Sequence, residues 1–227
     1  IGKRKVIMVK KIIKKIIPLK NIIQIKEKIN SFIYSNSLYR ARPKVYRIKK
    51  NGKILNLSNI IDVSHWSKVD FGNNVFIWHF TILDSYNGIK IGNDCQIGTR
   101  VGIFTHSSHN SIRYYNKNYN KVPFQEHKGR IKGSVEIGDN TFIGANSIIM
   151  PNTKIGKGCI VAGFSYVQGK FDDFSIISGN PAKKVGDVRK IDYKFLKSNP
   201  DLIESYLTYF NFKSIEDLKN SIERNSF

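Results

Sequence analysis

Aliphatic side chains recur at every sixth position over a long stretch of the chain. From residue 135 onward the large aliphatic positions are Ile137, Ile143, Ile149, Ile155, Val161 and Val167. A smaller residue stands two places before each of them, and strand alternation puts both members of a pair on the same side of the backbone. Turn-forming residues such as Gly138-Asp139-Asn140 separate the pairs. Each hexad is therefore predicted to be a short strand followed by a corner.

This six-residue period predicts a coiled architecture. Three corners close a triangle, so three hexads make one coil, and the bulky aliphatics of successive coils stack on one another. The same register occurs earlier at Ile91, Ile97 and Ile103, and before that at Phe71, Ile77 and Leu83. The pattern therefore predicts an all-β core built as a parallel β-helix.

Two interruptions of the period predict features outside the coil. The step from Leu83 to Ile91 is eight positions, so two extra residues are expected to bulge near residues 85–88. The step from Ile103 to Ile137 is 34 positions, which is not a multiple of six, so residues 104–134 are expected to leave the coil as a long loop. Loops of this length are usually functional.

Charge sets the N-terminal region apart from the rest. The chain has a formal net charge of +21, and residues 1–50 hold 16 Lys and Arg against the single acid Glu27. Within residues 1–33 the apolar residues are spaced as one helical face with lysines on the other. No apolar run there approaches the roughly 18 residues that span a bilayer, and no cleavage site follows an apolar core. We therefore expect neither a membrane anchor nor a signal peptide.

Such a basic amphipathic helix fits two roles. It can lie on an anionic membrane surface, or it can dock on the neighbouring domain with its lysines in solvent. Nucleic-acid binding is not expected, because no groove-reading motif accompanies the charge. The predicted organisation is a basic helical segment over residues 1–50, a β-helix domain over 51–188 and a helical extension over 189–227. Two capping patterns, Asn199-Pro200 and Ser214 to Asp217, predict short helices over 199–211 and 214–224.

Cysteine usage gives no sign of a disulfide framework or a zinc module. Cys95 and Cys159 are the only cysteines, and they form no CxxC pair. A reducing, cytoplasmic setting, with peripheral contact to the inner face of the cell membrane through residues 1–33, is the expected location. No metal requirement is predicted.

Three features together resemble a known family. They are the hexads of the form Ile-Gly-x-x-small-x, the closing Gly179-Asn180-Pro181-Ala182-Lys183-Lys184, and the histidine-bearing loop between coils. Over about residues 55–188 the chain resembles the left-handed β-helix, hexapeptide-repeat acyltransferases, and in particular the sugar and capsular-polysaccharide O-acetyltransferases. The resemblance implies left-handed coils, a homotrimer, and an acetyl-CoA site between adjacent subunits.

Two loop histidines are the candidate catalytic residues. A sugar hydroxyl is almost wholly protonated at neutral pH, so a base must take its proton as it attacks a thioester, and imidazole titrates in the right range. The stretch Thr105-His106-Ser107-Ser108-His109 supplies two imidazoles. Counted from Ile91-Gly92, His109 matches the base of the resembled enzymes to within one residue, so it is the first choice and His106 the second. The γ-carbonic anhydrases share this coil, but their zinc-ligand spacing differs from that of these histidines.

The remaining candidates would bind the two substrates. Residues predicted to contact the acceptor sugar are Trp78, His79, Asp84, Arg113, Tyr114, Tyr115, Glu126 and Phe142. Asp84 is also a candidate to orient the catalytic imidazole, or merely to cap a turn with Asn87. The resemblance places the pantetheine arm of acetyl-CoA along the corners at Gly144, Ala145, Ala162 and Gly163. Lys183 and Lys184 are candidates for its phosphates.

The expected function is acetyl-CoA-dependent O-acetylation of a sugar in a surface polysaccharide or its precursor. Two alternatives remain open at this point. One is N-acetylation of a nucleotide-linked amino sugar, or of a xenobiotic, on the same scaffold. The other is a β-helix that acts only as a scaffold or binding module, since fold does not dictate chemistry.

Overall fold

The computed structural model describes residues 45–58 and 60–224. The predicted amphipathic segment, residues 1–33, lies outside the described residues. The first strand of the described residues is Val45–Lys50, which starts six positions before the expected domain boundary and pairs antiparallel with the following strand as a hairpin.

Three sheets form the three sides of a left-handed parallel β-helix, as the hexads and the resemblance predicted. Sheet A contains β1 (Val45–Lys50), β2 (Lys53–Ser58), β5 (Val75–Ile77), β8 (Gln96–Ile97), β13 (Phe142–Ile143), β16 (Ile160–Val161), β19 (Ser175–Gly179) and β20 (Ala182–Asp187). Sheet B contains β3 (Ile61–Val63), β6 (Thr81–Asp84), β9 (Gly102–Phe104), β14 (Ile148–Ile149) and β17 (Tyr166–Val167). Sheet C contains β4 (Val69–Phe71), β7 (Ile89–Ile91), β12 (Val135–Ile137), β15 (Lys154–Ile155) and β18 (Lys170–Phe171).

The core is the predicted stack of aliphatic side chains. In sheet A, a continuous in-register column runs through neighbouring coils and is fully buried, and its members are Ile77, Ile97, Ile143, Val161 and Ile177. Cys95 and Cys159 fill two of the small inward slots and are also buried. Burial against hydrocarbon, rather than any polar contact, is therefore the main force that holds the coils together.

Register shows how the coils change along the helix. Strands are offset by 18 residues from Ile137 to Ile155 and by 20 from Ile77 to Ile97. The earlier coils are thus two residues longer, and in one of them the extra length forms the predicted bulge at residues 85–88. The loop leaves after β9 and returns at β12, and its base is closed by the antiparallel pair β10 (His106–Ser107) and β11 (Ile131–Lys132).

Four α-helices complete the described part of the chain, together with short 3-10 helices at Trp66–Lys68, Asn116–Lys121, Phe124–Glu126 and Pro200–Leu202. Helix α1 (His109–Tyr115) lies in the loop, while α2 (Val188–Ser198), α3 (Ile203–Phe210) and α4 (Ile215–Arg224) follow the last strand. Helices α3 and α4 match the two predicted helices to within a few residues, and the Ser214 Oγ accepts a hydrogen bond from Asp217 N at 3.1 Å as its capping pattern predicted. Helix α2 was not predicted.

The C-terminal helices pack on the outer face of sheet A. Phe174, Val188 and Phe210 form a second buried cluster, against which the outward side chains of Ile160 and Ile176 pack. A buried ion pair strengthens this junction, because Asp187 caps α2 and accepts hydrogen bonds from the Arg189 side chain. The hydroxyl of Tyr209 on α3 donates to Asp94 Oδ2 at 2.7 Å and ties the helices to the middle coils.

Candidate active site

One corner of the triangle carries most of the polar chemistry. It lies between the end of each sheet B strand and the start of the next sheet C strand, and we call it the B–C corner. Three successive coils widen here, first at residues 64–68, then at the bulge 85–88, and then at the loop. Because coils stack directly, side chains from these three connections lie above one another.

A histidine and an aspartate meet at the B–C corner. Asp84 is the last residue of β6, and His106 follows β9, the next strand of the same sheet. Asp84 Oδ2 lies 2.6 Å from His106 Nδ1, and both atoms are buried. The His106 ring is also held 5.7 Å from the rings of Tyr86 and Phe124. The two atoms form an ion-pair contact without hydrogen-bond geometry, and a carboxylate this close to Nδ1 favours the tautomer that keeps the proton there and leaves the lone pair on Nε2.

Hydrogen bonds at the base of the loop hold this pair in register. Thr105 Oγ1 donates to the backbone oxygen of Asp84 at 2.6 Å and accepts from Asn87 N at 2.9 Å. The Asn87 amide donates to Thr105 O at 2.7 Å. Asn87 thus binds the start of the loop, and the Asp84 carboxylate is left to contact His106.

His109 has a different environment. It is the first residue of α1 and is exposed to solvent. Its Nδ1 lies 2.8 Å from Ser107 Oγ. A hydroxyl orients a ring less strongly than a buried carboxylate does and does not stabilise an imidazolium charge. The spacing that ranked His109 first carries no information about which histidine a carboxylate contacts.

A third loop histidine, which was not among the candidates, organises the loop. His127 is buried, and its Nε2 lies 3.0 Å from the carbonyl oxygens of both Tyr119 and Val122. Its ring centroid lies 4.2 Å from that of Tyr119 and 5.4 Å from that of Tyr115. His127 therefore stabilises the loop from its interior, and its buried ring is not accessible to a ligand.

The predicted acceptor contacts within the loop divide into two groups. Tyr115 is part of the packing around His127, and its hydroxyl accepts a hydrogen bond from Lys128 N at 3.2 Å. Arg113, Tyr114 and Glu126 are exposed, with Arg113 bonded to Asn110 Oδ1 at 2.9 Å. The exposed side chains remain free to meet an acceptor, whereas Tyr115 serves the loop.

The other candidates lie along a second edge of the triangle, the A–B corner, which connects sheet A to sheet B. This edge carries Trp78, His79, Gly144, Ala145, Ala162 and Gly163. Phe142 projects outward from sheet A and is 42% exposed. His79 is bonded to Ser58, with 2.6 Å between Nδ1 and Oγ. Within one protomer these residues do not join His106 and Asp84, because the two corners are different edges of the coil.

Two glycines at the A–B corner have different surroundings. A Cβ on Gly144 would come within 2.5 Å of Gly163 N and 2.7 Å of Val161 O, so that position must lack a side chain for the coils to stack. A Cβ on Gly163 would meet nothing nearer than Ala145 O at 3.1 Å. Lys183 and Lys184 are exposed on β20. Gly163 and these lysines are therefore accessible, while Gly144 is required by the fold.

Sequence reasoning also missed aromatic and basic residues at the B–C corner. Four such residues pack around the His106 ring or against one another, namely Lys68, Tyr86, Phe124 and Arg130. Tyr86 lies in the predicted bulge, which was a usable signal. Phe124 and Arg130 lie deep in an aperiodic loop, where spacing carries no information about contacts.

Some kinds of site are not found in the part of the chain that the structure describes. Over residues 45–58 and 60–224 no three or more His, Cys, Asp or Glu side chains group as metal ligands. In the same residues no helix has the length and apolar character to cross a bilayer. Burial raises the pKa of the Cys95 and Cys159 thiols to about 11, so neither is an activated nucleophile.

Comparison with known proteins agrees with the fold. Residues 134–169 match the family model described as bacterial transferase hexapeptide (six repeats). A provisionally named acetyltransferase of Mycobacterium tuberculosis is 29% identical over 54% of this chain and 38% of its own length. A provisionally named lipopolysaccharide biosynthesis O-acetyltransferase of Escherichia coli K12 is 28% identical over 50% of this chain and 57% of its own length. An Escherichia coli dTDP-4-amino-4,6-dideoxy-D-glucose acyltransferase is 25% identical over 63% of this chain and 83% of its own length.

The match therefore spans 38% and 57% of the first two relatives. The matched segment covers the hexads from β12 to β17, which the structure shows wound into the coil. Residues 134–169 therefore carry the repeat of the bacterial transferase hexapeptide family, and the similar proteins are acetyltransferases and acyltransferases by name.

Proposed function

We propose that this protein is an acetyl-CoA-dependent O-acetyltransferase that acts on a hydroxyl of a sugar in a surface polysaccharide or its precursor, with His106 as general base. The observation that carries the proposal is the buried 2.6 Å contact between His106 Nδ1 and Asp84 Oδ2 where the loop leaves the coil. The names of the relatives support acyl transfer and a saccharide acceptor.

The chemistry needs one well-placed base. Acetyl-CoA supplies an acetyl group on a thioester, and its thiol of pKa about 8.5 departs readily. His106 Nε2 takes the proton of the acceptor hydroxyl as that oxygen attacks the acetyl carbonyl carbon. The Asp84 carboxylate stabilises the imidazolium that forms. His106 then returns the proton to the departing sulfur as the carbon–sulfur bond breaks, so no acyl-enzyme is required.

His106 is a better base than His109 on geometric grounds. A general base works best when a third group holds its ring and tautomer, and Asp84 does this for His106. His109 is exposed and has only the Ser107 hydroxyl as a partner. The higher rank of His109 by spacing stays a prediction, which substitution of each histidine in turn would test.

We also propose a homotrimer in which the A–B corner of one subunit packs against a neighbour. Phe80 and Phe164 are 47% and 77% exposed and have φ of 62° and 60°, a left-handed conformation that bulky residues rarely adopt. Trp78 extends the same apolar edge at 42% exposed. The left-handed φ is shared by other corners of the coil, such as Asn140 and Asn146, so the exposure of the aromatic side chains along one edge is what favours a surface that another chain covers.

Such an assembly would bring both substrates to one cleft. The accessible positions along the A–B corner, Ala162 and Gly163, would line the pantetheine arm beside a neighbour's His106. Lys183 and Lys184 would meet the phosphates of CoA. Contact of residues 1–33 with a membrane stays a prediction.

One alternative has specific support. The aminosugar acyltransferase relative favours N-acetylation, in which the same base would receive a proton from an amine. Hydroxyl and amine acceptors give products of different stability, because mild base cleaves an ester and leaves an amide intact.

The test is release of CoA thiol from acetyl-CoA by the full chain, in the presence of a panel of sugars and amino sugars, with mass spectrometry of the products. The proposal predicts transfer of one acetyl group that mild base removes. A base-stable product would establish the amide alternative. If no sugar or amino sugar accelerates CoA release, the protein is not an acetyltransferase of this class and the scaffold reading gains support.

A further inference from the structure

An arginine with unused hydrogen-bond donors lies beside the proposed base. The Arg130 guanidinium carbon sits 3.4 Å from the centre of the Phe124 ring and 5.5 Å from that of Tyr86. These are the same two rings that hold His106. Arg130 and His106 are therefore neighbours across a shared aromatic wall.

The donors of Arg130 are only partly satisfied. Nη1 donates to Phe124 O at 3.0 Å, while Nε and Nη2 are buried and have no acceptor among the described residues. No carboxylate in the described part of the chain forms an ion pair with Arg130. An unpaired buried donor destabilises the folded state, and more so on a charged group. Such an arrangement is expected where a bound ligand supplies the missing acceptor.

The pair of free donors has a shape that selects its ligand. Nε–H and the adjacent N–H of Nη2 point from one edge of the planar guanidinium, and this edge matches two oxygens of a carboxylate or a phosphate. A single neutral hydroxyl fills one of the two donors and leaves the charge unpaired. The geometry therefore favours an anionic group over an uncharged sugar.

The surroundings add positive charge and little negative charge. Lys68 lies with Nζ 4.8 Å from the Tyr86 ring centre and donates to Tyr86 O at 2.7 Å. The His65 ring, on the same coil as Lys68, contacts the Tyr86 ring with 5.1 Å between the centroids. The nearby Asp84 carboxylate is already engaged by His106. Lys68 therefore adds a second permanent positive charge against the Tyr86 ring that Arg130 also contacts.

We propose that Arg130, supported by Lys68, binds an anionic group of the acceptor, either the carboxylate of an acidic sugar or the phosphate of a phosphorylated sugar. This inference rests on the proposed function, because it assigns the acceptor to the cleft that His106 faces. Because Nε and Nη2 are buried, binding of the anion requires side chains around the guanidinium to move, a common event on ligand binding. Arg130 is then a specificity residue, and the reacting hydroxyl is held beside His106 by the anion on the same molecule.

The test compares three sugars that differ in one group. D-glucose carries no charge, D-glucuronate carries a carboxylate, and glucose 1-phosphate carries a phosphate. Their binding to the full chain is measured by isothermal titration calorimetry at constant ionic strength. We expect at least one charged sugar to bind about ten-fold or more tightly than glucose, the factor given by a hydrogen bond to a charged group. The charged sugar that binds more tightly than glucose shows whether the site prefers a carboxylate or a phosphate.

Substitutions then assign the preference to a residue. In Arg130→Gln the affinities for the charged and neutral sugars should lie within about two-fold of each other, because the substitution removes both the positive charge and the two-donor edge of the guanidinium. Arg47→Gln makes the same charge change on exposed β1, away from the B–C corner, and should keep the wild-type preference. If Arg130→Gln does not fold, Arg130→Lys decides, since it keeps the charge and removes the two-donor edge, and it should bind the charged sugar more weakly than wild type.

Equal binding of the three sugars to wild type, or binding of none, overturns the inference. So does a preference that survives unchanged in Arg130→Gln or, where that variant is unfolded, in Arg130→Lys. These results are independent of acetyl transfer, because the titrations contain no acetyl-CoA. A charged-sugar preference without CoA release would refute the proposed function alone. CoA release with no preference for charged sugars would refute the anion site alone.

Discussion

Replacement of one inward aliphatic residue should measure how much the hexad stack contributes to stability. Ile155 is 1% exposed and lies in register between Ile137 and Phe171. Ile155→Ala removes three buried carbons at about 0.8 kcal/mol each. The cavity left behind adds to this, so the loss should be about 3 kcal/mol within the roughly 2–5 kcal/mol range for such changes.

The adjacent residue provides a matched control. Lys154 points outward with a side chain 63% exposed, and its Nζ lies 3.1 Å from Glu136 Oε2. An exposed ion pair is worth about 0–1 kcal/mol, so Lys154→Ala should change the free energy of unfolding little. Both variants are compared with wild type by urea unfolding followed by circular dichroism, at one protein concentration because assembly shifts stability. Equal losses for the two variants would refute the inward-and-outward alternation on which the coil depends.

Three further outcomes follow from single sites. Gly144→Ala should destabilise the coil or leave it insoluble, whereas Gly163→Ala should lower the unfolding temperature much less, because only the Ala145 carbonyl oxygen, 3.1 Å from the added Cβ, has to shift; thermal scans measure both. Burial opposes ionisation of Asp187, but hydrogen bonds from the Arg189 side chain and backbone outweigh it and lower the pKa, so its stabilising effect is present at neutral pH and is lost as pH falls below the ordinary Asp value. Asp187→Asn should therefore cost about 3 kcal/mol at pH 7 and progressively less in acid, measured by urea unfolding across that range. Cys95 and Cys159, with thiol pKa values near 11, should resist iodoacetamide in the native protein and react after denaturation.

The periodic part of the structure was predictable because each hexad repeats the same physical requirement. Ile137, Ile143 and Ile149 must face inward, so their spacing determines strand, corner and coil together. The break between Leu83 and Ile91 likewise located the bulge that holds Tyr86. In a repetitive fold, a break in the six-residue sequence period therefore locates an irregular segment of the structure.

The site itself was only partly predictable. Two histidines at the start of the loop were predicted as candidate bases, and Asp84 was predicted as a residue able to orient an imidazole. Which histidine meets Asp84 depends on how the loop base stacks on the preceding coil, through Thr105 and Asn87. Arg130 reaches the same corner through the internal packing of an aperiodic loop, which no spacing rule describes.

Helix α2 was missed for a local reason. Its start is fixed by the Asp187 cap and by Arg189, which also donates to Ser221 Oγ on α4 at 3.1 Å. The sequence reading took residues up to 188 as coil and placed the first helix at 199. Asp187 is an ordinary N-cap residue that accepts from Arg189 N, so the start of α2 carries a local signal that the predicted helices did not include.

The most direct test of the account is the rate of CoA-thiol release in three variants that keep the native assembly by size-exclusion chromatography. With acetyl-CoA and acceptor saturating, His106→Asn should lower kcat by about 10²–10⁴-fold, the usual contribution of a general base. Asp84→Asn should lower kcat in the same direction, and His109→Asn should stay within a few-fold of wild type. An active His106→Asn enzyme beside an inactive His109→Asn enzyme would contradict the account.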